Sequence, residues 1–374
     1  MSHYFDHAAT TPMRSEAQEA WLRHAGALNP GGQYASGRAA RGALESAREE
    51  IAGLLGADPV EVIFTGSGTE ADNLAIQGLY RASSLPRLLS SPVEHPAVRE
   101  VIAHLAAQGA EVEWLPVDAG GHVKDLGPVA HPAALVACMY ANNETGALQP
   151  VEPLIERARE AGTPVHIDAV QALGHRAIDF HGLGATTLAG SAHKFGGPRG
   201  VGLLLARRSP APQPVFFGGG QERGIRPGTN DVAGAAATAA ALRAVLAERE
   251  AEEARLRVLR DDLLRRVLHE IDEVRVNTVE PALPGHLSLS FPGAEGDSLI
   301  MLLDSLGIEA ATGSACHSGV NRASEVLLAM GVPEGEARGT VRFTLGRTTT
   351  EEDVDYLVAH LPEVVRRARL AGMA

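Results

Sequence analysis

Lys194 is the residue whose type is hardest to explain as mere surface charge. The chain carries 33 basic side chains, yet only Lys124 and Lys194 are lysines. A lysine amine can lose its proton and attack a carbonyl, whereas arginine stays protonated. In Ser191-Ala-His-Lys-Phe-Gly-Gly-Pro-Arg-Gly200, Lys194 is therefore a candidate Schiff-base former, above all with pyridoxal phosphate (PLP). Ser191 and His193 would suit the phosphate of such a group. The same decapeptide equally fits a surface lysine in a glycine-rich turn.

Other stretches carry residues that would complete that chemistry. Thr65-Gly-Ser-Gly-Thr-Glu-Ala-Asp-Asn73 follows an apolar run and opens a helical one. Glycines let the backbone approach an anion, and a helix start presents N–H groups with a favourable dipole, so Gly68 and Thr69 suit a phosphate. The lysine of a Walker loop and the spacing of a dinucleotide fingerprint are both missing. Asp168, in His166-Ile-Asp-Ala-Val-Gln171, ends an apolar strand where it could pair with a protonated pyridine nitrogen. Gln171 could reach the ring hydroxyl. An aspartate there is also a common helix cap. His95, in Glu94-His-Pro96, could stack on a ring and move protons, or be an ordinary loop histidine.

Asn143 lies in the polar loop Ala141-Asn-Asn-Glu-Thr-Gly146. Arg342, inside a strand-like run, needs a partner, either a bound carboxylate or an internal acid. The glycine-dense stretch 218–230 is too long for a simple hairpin and reads as a lid or as an arm across a subunit boundary. The two cysteines differ. Cys138 sits in the apolar run Ala134-Leu-Val-Ala-Cys-Met-Tyr140 as a small hydrophobe. Cys316, in Thr312-Gly-Ser-Ala-Cys-His-Ser-Gly319, has small polar neighbours that would not bury it.

These residues need a scaffold. Strand-like and helix-like runs alternate from Val62 to Ala206, with strands expected at 62–65, 87–91, 111–117, 135–141, 165–168, 187–190 and 201–206. That alternation predicts an α/β fold with a mostly parallel sheet covered on both faces, and ligands at the carboxyl ends of its strands. Residues 1–13 read as extended. A helical pattern runs from Asp231 to about Ile271 and would bridge two domains. Strands and helices beyond it form a smaller α+β domain. The expected division is a large domain over 14–250 and a small one from 1–13 plus 251–374.

Composition excludes several classes. A formal net charge of −13 argues against a general binder of nucleic acid or anionic membrane. No apolar run is long enough to span a bilayer, and the amino-terminal stretch has no signal-peptide pattern. Two cysteines are too few for a disulfide framework, so a cytoplasmic location is expected. The histidines and cysteines show no zinc-finger or zincin spacing, so no metal is expected.

Taken in order, these motifs resemble fold-type I PLP enzymes, and among them the cysteine desulfurases of the NifS/IscS type. The resemblance runs from Tyr4-Phe-Asp-His-Ala-Ala-Thr-Thr-Pro12 through Gly66-Ser-Gly-Thr-Glu70, Glu94-His-Pro-Ala-Val98, Asn142-Asn-Glu-Thr-Gly146 and His166-Ile-Asp168. It continues through Gly218-Gly-Gly-Gln-Glu222, Arg226-Pro-Gly-Thr229 and Gly313-Ser-Ala-Cys316 to Arg342-Phe-Thr-Leu-Gly-Arg347. It implies a homodimer that turns L-cysteine into L-alanine and passes the sulfur, as a persulfide, towards iron–sulfur clusters, thiolated tRNA or cofactors through a sulfur-acceptor protein. By the same resemblance Lys194 would hold PLP, while Gly68, Thr69, Ser191, His193 and the partner subunit's Thr229 would bind its phosphate. Asp168 would face the ring nitrogen, Gln171 the ring oxygen, and His95 would stack on the ring. Asn143 and Arg342 would hold the substrate carboxylate, and Cys316 would accept sulfur.

Three features depart from the family pattern. His317 follows the cysteine where a small hydroxyl residue is usual, Tyr34 replaces a frequent histidine, and Asn29-Pro-Gly-Gly32 is unusually glycine-rich. The last helix is followed closely by Ala374, short of the tail by which some relatives engage an iron–sulfur scaffold. The competing readings are another PLP lyase, acting on cystine, selenocysteine or kynurenine without needing Cys316, and a non-catalytic assembly protein on the same fold.

Overall fold

The computed structural model describes residues 2–313 and 323–372. A two-residue strand, β1 (His3–Tyr4), begins the chain. Seven strands then build the main sheet: β2 (Val62–Thr65), β3 (Arg87–Ser90), β4 (Glu111–Trp114), β5 (Leu135–Met139), β6 (Val165–Asp168), β7 (Thr187–Ser191) and β8 (Gly202–Ala206). They lie in the order β2-β8-β7-β6-β5-β3-β4. Neighbours are parallel throughout except the two pairs made by β8, which runs antiparallel to β2 and β7. Strands β2 and β5–β8 are buried at every position. Successive side chains point to opposite faces, so complete burial means that both faces are covered. The edge strand β4 is the exception. It ends at Trp114 rather than reaching Val117, and its outer residues meet solvent.

One helix serves two cores. Val232–Glu270 is 39 residues long and ordered around no single apolar stripe. Its alanine-rich first half (Val232, Ala235 and Ala237 to Leu242) joins the core under the main sheet and packs on the helices Ser15–His24 and Ala35–Leu54. Small side chains let those helices approach closely. Its charged second half turns Leu256, Leu259, Leu263 and Val267 inward, to a second core.

That second core is backed by an antiparallel sheet of β9 (Arg275–Val276), β10 (His286–Ser290) and, after β11 (Ile308–Glu309), β12 (Thr340–Thr344), in the order β12-β10-β9. The terminal helix Glu351–Gly372 covers it, started by Thr350 and Asp353, each of whose amides donates to the other's side chain. The amino-terminal segment joins this end of the molecule. Strand β1 pairs in parallel with β11, and Phe5 is fully buried edge-on to Phe343 with ring centres 6.2 Å apart.

Candidate active site

The loops at the carboxyl ends of β2, β3, β5, β6 and β7 converge on one cleft. Gly68 and Thr69 come from the first loop, His95 from the second, Asn143 from the third, Asp168 and Gln171 from the fourth, and Ser191, His193 and Lys194 from the last. Five separate stretches of sequence thus reach one place, as the parallel sheet predicts.

The first loop is shaped for an anion. Ser67 caps the helix Gly68–Ala82 by accepting from Glu70 N at 3.0 Å, and the Glu70 carboxylate in turn accepts from Gly66 N. The first amides of that helix, at Gly68 and Thr69, have no carbonyl a turn before them to bond and point outward. A Cβ at Gly68 would lie 2.7 Å from Val170 Cγ2 and 3.3 Å from Ser191 Cβ, so only glycine lets the three loops meet so closely.

Lys194 lies across from this cradle. Its Nζ donates to the carbonyls of Ala8 (2.6 Å) and Ala9 (2.9 Å), and Gln171 Nε2 donates to the same Ala8 carbonyl at 3.0 Å. The amino-terminal segment is therefore one wall of the site. His193 Nδ1 meets Thr10 Oγ1 at 3.1 Å on the same wall.

Arg342 shows where its charge goes. Nη2 pairs with Asp6 Oδ1 at 2.5 Å, Nη1 donates to the Asn143 carbonyl at 2.8 Å, and Nε is buried with no hydrogen-bond partner among the described residues. Of the two readings of Arg342, the internal acid is present: Asp6 takes one edge of the guanidinium, and Arg342 itself does not line the cleft. Asp6 was not anticipated, because it is 336 positions away from Arg342. Thr229 does not line this chain's cleft; it is exposed on the loop after Arg226, which is tied to Glu70 at 2.8 Å. Cys138 is fully buried, as its neighbours predicted. Cys316 and His317 lie outside the described residues.

Burial tunes the titratable groups. Asp168 is 5% exposed with Oδ1 accepting from Val170 N at 2.9 Å, and burial pushes its carboxyl up, against His95 and Lys194 nearby. Burial holds His95 below its usual value, so near neutral pH its ring is uncharged, and its Nδ1 accepts from Ala97 N. His193 is lowered to about 4, chiefly by burial. Beneath the cleft, His166 Nε2 meets Asp72 Oδ1 at 3.1 Å and Nδ1 meets Thr187 Oγ1 at 2.9 Å. Both bonds are satisfied by a neutral ring protonated at Nε2. Asp72 and His166 were not singled out from sequence, although period-2 alternation puts His166 on the same strand face as Asp168.

The donor set fits PLP: an anion cradle at a helix start, an amine, and a buried carboxylate, all facing one cleft. Residues 3–357 match the family described as aminotransferase class-V. The chain belongs to that family. This class-V chain is 46% identical to an IscS-like cysteine desulfurase of Mycobacterium tuberculosis over 99% of its own length and 98% of the relative's. It is 39% identical to a cysteine desulfurase IscS of Methanosarcina thermophila, covering 98% and 92%. A solved NifS-like protein superposes with a TM-score of 0.91 at 33% identity, covering 98% of this chain and 100% of that one.

The class-V chain's buried histidine gives a pH prediction. His166 is lowered to about 3 by burial, while an unfolded histidine titrates near 6.5. The unfolded chain gains that proton first, so the contribution of His166 to stability is lost as pH falls from about 6.5 towards 3. Raised carboxyls such as Asp168 act in the opposite sense. The expected result is therefore a difference: between pH 7 and 4.5 the urea midpoint of His166→Asn falls less than that of the wild type. Parallel midpoints would show that His166 is protonated in the fold.

Proposed function

We propose that this class-V enzyme is a PLP-dependent cysteine desulfurase that moves the sulfur of L-cysteine onto Cys316. The observation that carries the proposal is the convergence of Lys194, Asp168, His95 and the Gly68–Thr69 cradle on one cleft, in a chain nearly half identical to a cysteine desulfurase. A solved structural neighbour, SspA, is described in complex with cysteine and superposes with a TM-score of 0.80 at 29% identity. Bound PLP supplies an electron sink for the carbon bearing the amine.

The chain's own residues would do the rest. Gly68, Thr69, Ser191 and His193 hold the phosphate, joined by the partner subunit's Thr229 in a homodimer. Asp168 faces the ring nitrogen and Gln171 the ring oxygen. Lys194 anchors the cofactor and then moves the proton at the substrate α-carbon. His95, uncharged, stacks on the ring and is placed to accept or return a proton. Arg342 and Asn143 hold the substrate carboxylate. In net terms, L-cysteine and the Cys316 thiol give L-alanine and a Cys316 persulfide: an S–S bond forms, the C–S bond breaks, and the carbon left behind takes a proton. The thiolate is the reactive form of Cys316.

The persulfide would pass to a sulfur-acceptor protein in the cytoplasm, and the small domain, 1–13 plus 251–374, would carry the Cys316 loop. No helix among the described residues is long and apolar enough to cross a membrane. The test is brief exposure to L-cysteine without reductant, followed by peptide mass and alanine assay. The expected result is a one-sulfur gain on Cys316 with alanine formed, both lost in Cys316→Ala. Pyruvate instead of alanine, with Cys316 unmodified and dispensable, would identify a PLP lyase of another kind.

A further inference from the structure

Three carboxyl groups share the buried base of the cleft. Asp72, Glu94 and Asp168 are 1%, 1% and 5% exposed, and they come from three different elements. Cys138 on β5 and His166 on β6 are the other titratable groups there, both fully buried, with His95 next along the chain. Like charges in a dry space oppose one another, so the three acids cannot all ionise cheaply.

Their partners decide which one gives way. Asp72 has the ring N–H of His166, although burial and the charges of Asp168 and Glu94 push it well up too. Asp168 has the Val170 amide and, facing it, His95 and Lys194. Glu94 keeps one bare oxygen. Its Oε1 accepts from Met139 N at 3.0 Å, the residue beside Asp168 in the sheet register, and the Ser91 side chain lies against the carboxyl, but its buried Oε2 has no hydrogen-bond partner among the described residues. A carboxylate with a bare buried oxygen lacks the donors that offset desolvation, whereas a protonated carboxyl places its hydrogen on that oxygen and carries no charge. Burial first, and then the Asp168 charge, push Glu94 well up, with the Met139 amide and the Ser91 side chain opposing.

We propose that Glu94 is a neutral carboxylic acid in the working enzyme, and that its neutrality leaves the negative charge of the cleft base on Asp168, where the ring nitrogen would meet it. The second half rests on the reading of Asp168 given above. Glu94 touches no reacting atom. It is a positioning residue that acts by withholding a charge: an ionised Glu94 would raise Asp168 and blur which acid pairs with the ring.

Infrared difference spectroscopy of the holoenzyme tests this. Wild type minus Glu94→Gln is expected to show a protonated-carboxyl C=O stretch that shifts in D2O. The glutamine is neutral and keeps an acceptor for Met139 N, so PLP affinity should stay within about twofold and the visible band should not move. Absence of the stretch, its persistence in Glu94→Gln, or PLP binding weakened about tenfold in a folded variant would overturn the proposal. If Glu94→Gln does not fold, glutamate labelled with carbon-13 assigns the stretch instead. Burial also pushes Glu144 up, so the labelled band must survive in Glu144→Gln. Asp168→Asn separates the two halves: unchanged PLP binding there would remove the role given to Asp168 while leaving the Glu94 stretch to be judged alone.

Discussion

Lys194→Ala is expected to lower alanine formation from L-cysteine by about 10⁴-fold, the upper range for removing a positioned acid–base group, with the covalent hold on the cofactor lost as well. The side chain stands at the meeting point of the cradle and the amino-terminal wall, and its Nζ is fixed by the Ala8 and Ala9 carbonyls. Nothing else described in the cleft is an amine. Lys194→Arg should be no better, because a guanidinium neither forms the bond nor gives up a proton. The measurement is alanine release together with the visible spectrum of the purified protein. A variant retaining a tenth of the activity would show that the lysine is structural.

Asp168→Asn should separate activity from stability. The carboxylate is buried and pushed up by that burial, so it costs the apo-protein free energy that an amide would not. Asparagine keeps an acceptor for Val170 N, the one hydrogen bond that Asp168 Oδ1 makes. The apo-variant is thus expected to melt a few degrees higher than wild type. Turnover should fall roughly 10³-fold, about 4 kcal/mol of transition-state stabilisation, because the amide cannot pair with a protonated ring nitrogen. Apo-protein melting and kcat decide it. Turnover near wild type would remove Asp168 from the chemistry, and a lower melting temperature would show that the charge is compensated in the fold.

Strands β2 and β5–β8 could be read because each is a mostly apolar run that the sheet buries on both faces. The direction of β8 could not, since Gly202-Leu-Leu-Leu-Ala206 is an apolar run that would be buried equally well in either direction. Strand 111–117 was read too long because Leu115 and Val117 are apolar and still buried or half-buried beyond the last pairing. Lys194, Asp168, His95 and Gly68 announced themselves by type and by position at strand ends. Asp6, Asp72 and Glu94 did not. Their meaning comes from partners that are distant in sequence, 94 positions for Asp72 and His166 and 45 for Glu94 and Met139. An acidic side chain in a polar stretch looks the same in sequence whether it is solvated or sealed. Only the fold shows which acids have been dried.

The amino-terminal wall has a consequence for biosynthesis. Residues 3–11 leave the ribosome before their partners, which are Gly307, Glu309, Arg342 and Thr344, with Lys194 between them. At about 5–20 residues per second, that segment waits tens of seconds for the strands that receive it. The main sheet, including the anion cradle, is complete by Ala206 and has all its pairings available long before. A nascent chain therefore passes through a stage in which the cofactor-facing loops exist without their wall, and the nucleophilic lysine is held by nothing from the amino terminus. Closure of the amino-terminal segment over Lys194 therefore waits for residues made more than 100 positions after the main sheet is complete.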